Sequence, residues 1–212
     1  MPGGPFITFA LNFCSGFVAL LTSYYAYKSN RLVRSSILGA IGVGFMLLGV
    51  GLVVDAGTSL VSGKLLVEFP AERILTLLAS FTYLAIQMVA YLVVAMGYAK
   101  AAYGKQVATV PVVLAGAAAL GLYRFSLLSY FVAMILLAFI VFQGLLIRSG
   151  GKSRYSAMVL LGFGLILAAH AILLFSVLAL WPGLFVVGTG VQFFGFLSLM
   201  AFVVRSEVVG SG

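Results

Sequence analysis

Seven stretches of this chain lack any charged residue: Pro5–Tyr27, Ser35–Val54, Ile74–Ala99, Gln106–Tyr123, Phe125–Ile147, Tyr155–Trp181 and Gly183–Val204. A helix crossing a bilayer core needs about 20 apolar residues, and each stretch is about that long. The pattern therefore predicts an all-α integral membrane protein with seven transmembrane helices, over about 5–27, 35–54, 74–99, 106–123, 125–147, 155–181 and 183–204. Together they make residues 1–212 a single transmembrane domain. The fourth is the weakest, rich in Ala and Gly, with Pro111 in its first turn, where the missing N–H breaks no bond. The segment between Thr58 and Phe69 alternates loosely about Ser62 and Gly63 and reads as a short hairpin.

One pattern occurs twice. "RSSILGAIGVGFMLL" begins at Arg34 and "RYSAMVLLGFGLILA" at Arg154, 120 residues later. At this offset Lys28 meets Arg148, Gly42 meets Gly162, and Gly44 meets Gly164. The third and seventh spans align at an offset of 105, with Gln87 on Gln192 and Tyr91 on Phe196. Spans one to three and five to seven thus read as two copies of a triplet, 5–99 and 125–204, joined by the fourth helix. An odd linker makes the copies run parallel, related by an axis along the membrane normal. Gly42, Gly44, Gly162 and Gly164 are then expected at close helix contacts, because lipid supplies no hydrophobic force between helices and small residues allow tight packing.

Composition agrees with this class. The chain is 64% hydrophobic and 8% charged, against about 25% charged in soluble domains. The formal net charge of +8 raises the question of nucleic acid, but the placement of the charges argues for topology instead. Lys28, Arg31, Arg34, Lys100, Lys105, Arg148, Lys152, Arg154 and Arg205 all fall on one side of seven alternating spans. Lys64, Arg73 and Arg124 fall on the other, beside Asp55, Glu68 and Glu72. The positive-inside rule then puts the N-terminus outside and the C-terminus in the cytoplasm of a cell-membrane protein. Removing the fourth span would put Arg148, Lys152 and Arg154 outside, so the charges favour keeping it. The start "MPGGPF" has no basic residue before the apolar run, so the first helix is read as a span and not as a cleaved signal. Tyr24, Tyr25, Tyr27, Tyr98, Tyr155 and Trp181 take interfacial belt positions.

The polar residues exclude more chemistry than they offer. All five lysines lie outside the spans, which rules out a retinal Schiff base within the bundle. One histidine and one cysteine supply neither a bis-histidine haem site nor the three or four ligands of zinc. The expectation is no metal, no cofactor and no enzyme, since no nucleophile, base and orienting group can be named together. Asp55 is read as the end of the second helix, leaving no acidic residue mid-span for a proton relay. What remains at depth is Asn12, Gln87, His170 and Gln192, with Thr82 and Thr189, while Gln143 near a helix end is expected to be satisfied by snorkelling or a backbone partner. If helices one, three, six and seven face one another, the first four residues line an outward-opening cavity. The plainer reading makes them interhelical hydrogen bonds, each worth about 0.6 kcal/mol.

Two functions follow. One is a non-catalytic polytopic module, sensor-like or an accessory subunit, acting through a partner membrane protein or as a homo-oligomer; the eight-residue tail after the last span holds no output domain. The alternative is a facilitator for a small neutral polar solute.

Overall fold

The computed structural model describes residues 4–65, 70–103, 126–149 and 156–210. Apart from two short turns they are helical: α1 (Gly4–Val33), α2 (Ser36–Leu65), α3 (Pro70–Tyr103), α4 (Ser126–Ser149), α5 (Ser156–Leu178) and α6 (Pro182–Gly210). Each contains a stretch long and apolar enough to cross a membrane. The chain is accordingly an all-α, multi-pass membrane protein. The fourth expected span, 106–123, lies outside the described residues, as do Lys105, Arg124, Lys152 and Arg154.

The helices run past the charges expected to end them. α1 continues through Lys28 and Arg31 to Val33, because a long cationic side chain reaches water from a membrane boundary without unwinding its helix. Arg31 lies along Tyr27, its guanidinium 4.8 Å from the ring centre and its Nη2 donating to the Tyr27 hydroxyl at 2.9 Å. The expected basic loop shrinks to Arg34 and Ser35. Arg34 takes a left-handed φ of 50°, and its N–H caps the Asn30 carbonyl at 2.8 Å, the usual way a helix end satisfies an orphan carbonyl. α5 ends in the same manner at Leu180, φ 51°, with Trp181 N–H bonded to the Ser176 carbonyl at 3.1 Å. α2 runs on to Leu65, so the expected hairpin about Ser62 and Gly63 does not form: that backbone is helical.

Successive helices pack against one another from α1 to α6, and α6 packs back on α1, closing a ring of six. Small residues set the contacts. A Cβ at Gly44 would lie 2.6 Å from Val94 Cγ2 and 2.9 Å from the Ala90 carbonyl oxygen, joining α2 to α3. A Cβ at Gly162 would lie 2.5 Å from Leu199 Cγ and 3.1 Å from the Gly195 carbonyl oxygen, joining α5 to α6. α1 and α2 approach through Gly16 and Gly49, each close to the other's carbonyl oxygen, and Ser23 Oγ donates to the Gly42 carbonyl at 2.7 Å.

Aromatic residues fill the middle of the ring. Phe45 of α2 meets Phe163 of α5, on the opposite side, edge to face at 6.3 Å. It also meets Phe196 of α6 at 5.6 Å, while Tyr98 of α3 closes on Phe163 at 5.9 Å. The three phenylalanines are at most 1% exposed.

Candidate functional site

Above that aromatic layer the ring encloses a cavity of about 200 Å³, lined from all six described helices. α1 contributes Asn12 and α2 contributes Asp55. α3 supplies Tyr83, Leu84 and Gln87, one successive face of the helix at i, i+1 and i+4. Tyr130 comes from α4 and Leu173 from α5, and Phe185, Thr189 and Gln192 come from α6. The cavity lies toward the end where α1, α4 and α6 begin. The basic side chains Arg31, Arg34, Lys100 and Arg148 belong to the other end.

Asp55 corrects the sequence reading most. It does not end a helix: it sits within α2, inside the apolar stretch Ser36–Thr58. The Asn12 amide Nδ2 lies 3.3 Å from its Oδ2 and donates to it. A carboxylate is tolerated at such a depth when it has donors and a wet cavity, and α1 brings the donor. The spans therefore do contain an acid, in the cavity wall.

Asn12, Gln87 and Gln192 share the lining, and His170 does not. His170 stands one layer deeper, fully buried. Its Nδ1 is 2.8 Å from the Ile166 carbonyl oxygen, which can only accept, so Nδ1 carries the proton. Its Nε2 then accepts from Gln87 Nε2 at 2.8 Å, with the Tyr91 hydroxyl 3.4 Å away. Gln87 Nε2 also reaches that hydroxyl at 3.3 Å. His170 thus holds the cavity amide of Gln87 in position from behind. Gln192 differs: it is 4% exposed, and its amide faces the Tyr83 hydroxyl, with Nε2 making no close hydrogen bond among the described residues. Thr189 returns its hydroxyl to the Phe185 carbonyl at 2.9 Å. Thr82 is exposed, away from the lining. Gln143 does not snorkel; it is buried and donates to the Tyr103 hydroxyl at 3.3 Å.

The four glycines separate. Gly44 and Gly162 stand at close contacts. Gly42 faces α1 at ordinary distance, its added Cβ 3.5 Å from the Tyr27 nitrogen. Gly164 has nothing within 4 Å among the described residues, since the face of α5 that packs carries Gly162, Phe163 and Ile166.

A wider groove of about 860 Å³ lies at the basic end between α2 and α3, bordered by Arg34 and Lys100. It is open, and its cationic rim suits anionic lipid headgroups. The smaller cavity has the enclosed, convergent polar groups of a binding site. Among the described residues no three metal-ligating side chains cluster, and Cys14 is exposed. Tyr83 and Tyr130 were not anticipated as lining residues. The spacing Tyr83, Gln87, Tyr91, a turn apart on one helical face, was the signal that marks this wall. No protein-family model matches the chain, and no curated protein or solved structure shows significant similarity to it.

Proposed function

We propose that the chain is a non-catalytic, sensor-like membrane module that binds a small polar ligand in the axial cavity and acts through a partner membrane protein. One observation carries this reading: a polar cavity is lined from every described helix, and beneath it Phe45, Phe163 and Phe196 pack edge to face. A ligand there touches all six helices at once, so binding can bias how they pack. The aromatic layer stands between it and the other side.

Seven spans in the cell membrane, N-terminus outside, belong to the same proposal. Tyr83 and Gln87 share the cavity with Tyr130, and at the other end Tyr103 meets Gln143, so α3 and α4 run parallel. That supports a further span between Tyr103 and Ser126, as the sequence expects at 106–123. Those 22 intervening residues would reach about 33 Å as a helix, enough for a core about 30 Å thick. The basic residues at the floor end favour that end as cytoplasmic.

The duplicated triplet also belongs here. Exchanging α1, α2 and α3 for α4, α5 and α6 carries each neighbour pair of the ring onto another neighbour pair. For the second helices, burial favours a register of 118 residues over 120: it sets Gly44 on Gly162, Phe45 on Phe163 and Leu52 on His170, all buried. The offset of 105 keeps Gln87 on Gln192 and Tyr91 on Phe196, again all buried.

This parallel symmetry is the one feature that favours the alternative, a facilitator. Proteoliposomes holding the purified chain separate the two. The module reading expects efflux of glycerol and ethylene glycol no faster than from protein-free vesicles, and a stoichiometric membrane partner after cross-linking in native membranes. Protein-dependent flux without any such partner would replace it with the facilitator.

A further inference from the structure

The open groove at the basic end has a charged mouth. Its rim carries Arg34, in the turn between α1 and α2, and Lys100, near the end of α3, together with the uncharged Asn30, Ser35 and Ser36. No acid lines it. Neither cationic side chain makes a hydrogen bond or an ion pair among the described residues. Two cations bordering one opening, with no acid to balance them, create a local field that favours an anion.

Below the rim the wall turns apolar. α2 contributes Ala40, and α3 contributes Val93 and Met96. Val93 lies seven residues before Lys100, inside the apolar stretch of α3 and about 10 Å down the helix from the rim. The trough is shallow-floored because α2 and α3 meet there without side chains. A Cβ on Gly97 would collide with Ala40 and lie 3.1 Å from the Ser36 carbonyl oxygen.

Size and layering select the occupant. At about 860 Å³ the groove is in the range that holds a drug-sized molecule, far more than a phosphate ion fills. A soluble anion would satisfy the rim and leave the apolar trough empty. A zwitterionic lipid would fill the trough but bring its own cation to a cationic rim.

We infer that this groove seats one anionic phospholipid from the leaflet at the basic end. Its phosphate lies between Arg34 and Lys100, and an acyl chain runs along Ala40, Val93 and Met96. Basic pockets between transmembrane helices bind acidic headgroups through the same forces. The lipid ties the turn after α1 to the end of α3, and it is separate from any ligand of the axial cavity.

The test uses the full chain in detergent micelles and reads its unfolding midpoint against three added probes: phosphatidylglycerol, phosphatidylcholine with the same acyl chains, and inorganic phosphate. Phosphatidylglycerol is expected to raise the midpoint saturably, at concentrations roughly tenfold or more below those phosphatidylcholine needs. Inorganic phosphate should leave it unmoved. Arg34→Asn, which suits the left-handed backbone there, and Lys100→Gln should each raise the half-saturating concentration about fivefold. Both residues are exposed, as is Arg31, which shares the basic end but not the groove; Arg31→Gln should change nothing. If a variant is lost, the three-probe comparison on the wild type still decides. Equal effects of the two lipids, or no effect of either, would overturn the assignment. So would a full shift by phosphate alone, which would make the occupant a free anion. An Arg31→Gln loss as large as that of Arg34→Asn would also overturn it, because the attraction would then be spread over the surface.

Discussion

Gly44→Leu and Gly162→Leu are each expected to prevent recovery of folded protein, while Gly164→Ala is expected to fold with an unfolding midpoint at or slightly above that of the wild type. The difference lies in what the first added carbon meets. At Gly44 it meets Val94 Cγ2 at 2.6 Å and the Ala90 carbonyl oxygen at 2.9 Å; at Gly162 it meets Leu199 Cγ at 2.5 Å and the Gly195 carbonyl oxygen at 3.1 Å. Side chains can rotate away, but backbone oxygens move only with their helix. Replacing glycine by alanine inside a helix gains about 0.5–1 kcal/mol from backbone entropy, whereas overpacking costs about 1–3 kcal/mol. The clash wins at Gly44 and Gly162, so even Gly→Ala should lower the unfolding midpoint there. At Gly164 only the gain remains. Size-exclusion recovery and thermal unfolding of the five single variants check this, and an unchanged midpoint for Gly44→Leu and Gly162→Leu would mean that these helices do not touch there.

The second large effect concerns His170. Removing its ring takes the acceptor from one N–H of the Gln87 amide, the other still reaching the Tyr91 hydroxyl, and a buried donor left unmade costs about 1–3 kcal/mol. An intact interhelical hydrogen bond in a membrane contributes only about 0.6 kcal/mol, so the orphaned partner dominates the loss. His170→Leu should therefore lower stability by about 1–3 kcal/mol. The pair His170→Leu with Gln87→Leu should lose much less than the sum of the two single changes, because no donor is then stranded. A double-mutant cycle measures the difference. Additive losses would mean that the 2.8 Å contact between Gln87 and His170 contributes nothing.

The spans were legible because hydrocarbon excludes charge, and uncharged runs of that length have few other uses. Their ends were not. Charge marks where a side chain reaches water, yet a helix continues past that level, as Lys28 and Arg31 do in α1. Asp55 misled for the same reason: the residue that lets it stay in the helix, Asn12, is 43 positions away on another element. The duplicated glycines misled differently. Matching letters at 120 residues sets His170 on Val50, which is 48% exposed, whereas matching buried faces sets it on Leu52, 1% exposed. Two residues turn a helix by about 200°, so a two-residue slip exchanges its inner and outer faces. Letters in apolar runs repeat too freely to fix that register. Asn12, Gln87 and Gln192 were found because polar groups at depth are rare. That His170 lies behind Gln87, outside the cavity lining, could be read only from the packing.

The proposed site opens to one side of the membrane, with the aromatic layer of Phe45, Phe163 and Phe196 between it and the other. The most direct measurement places a cysteine in the cavity wall by Thr189→Cys, on a Cys14→Ser background, in vesicles of known orientation. Thr189 lines the cavity and bonds only within its own helix, so the exchange should leave the fold intact. A small membrane-impermeant thiol reagent is expected to modify it from the side where α1 begins, and to leave it unmodified from the side of Arg34 and Lys100. Modification from both sides would reveal an open pathway through the Phe45, Phe163 and Phe196 layer, and modification from neither would contradict the cavity itself.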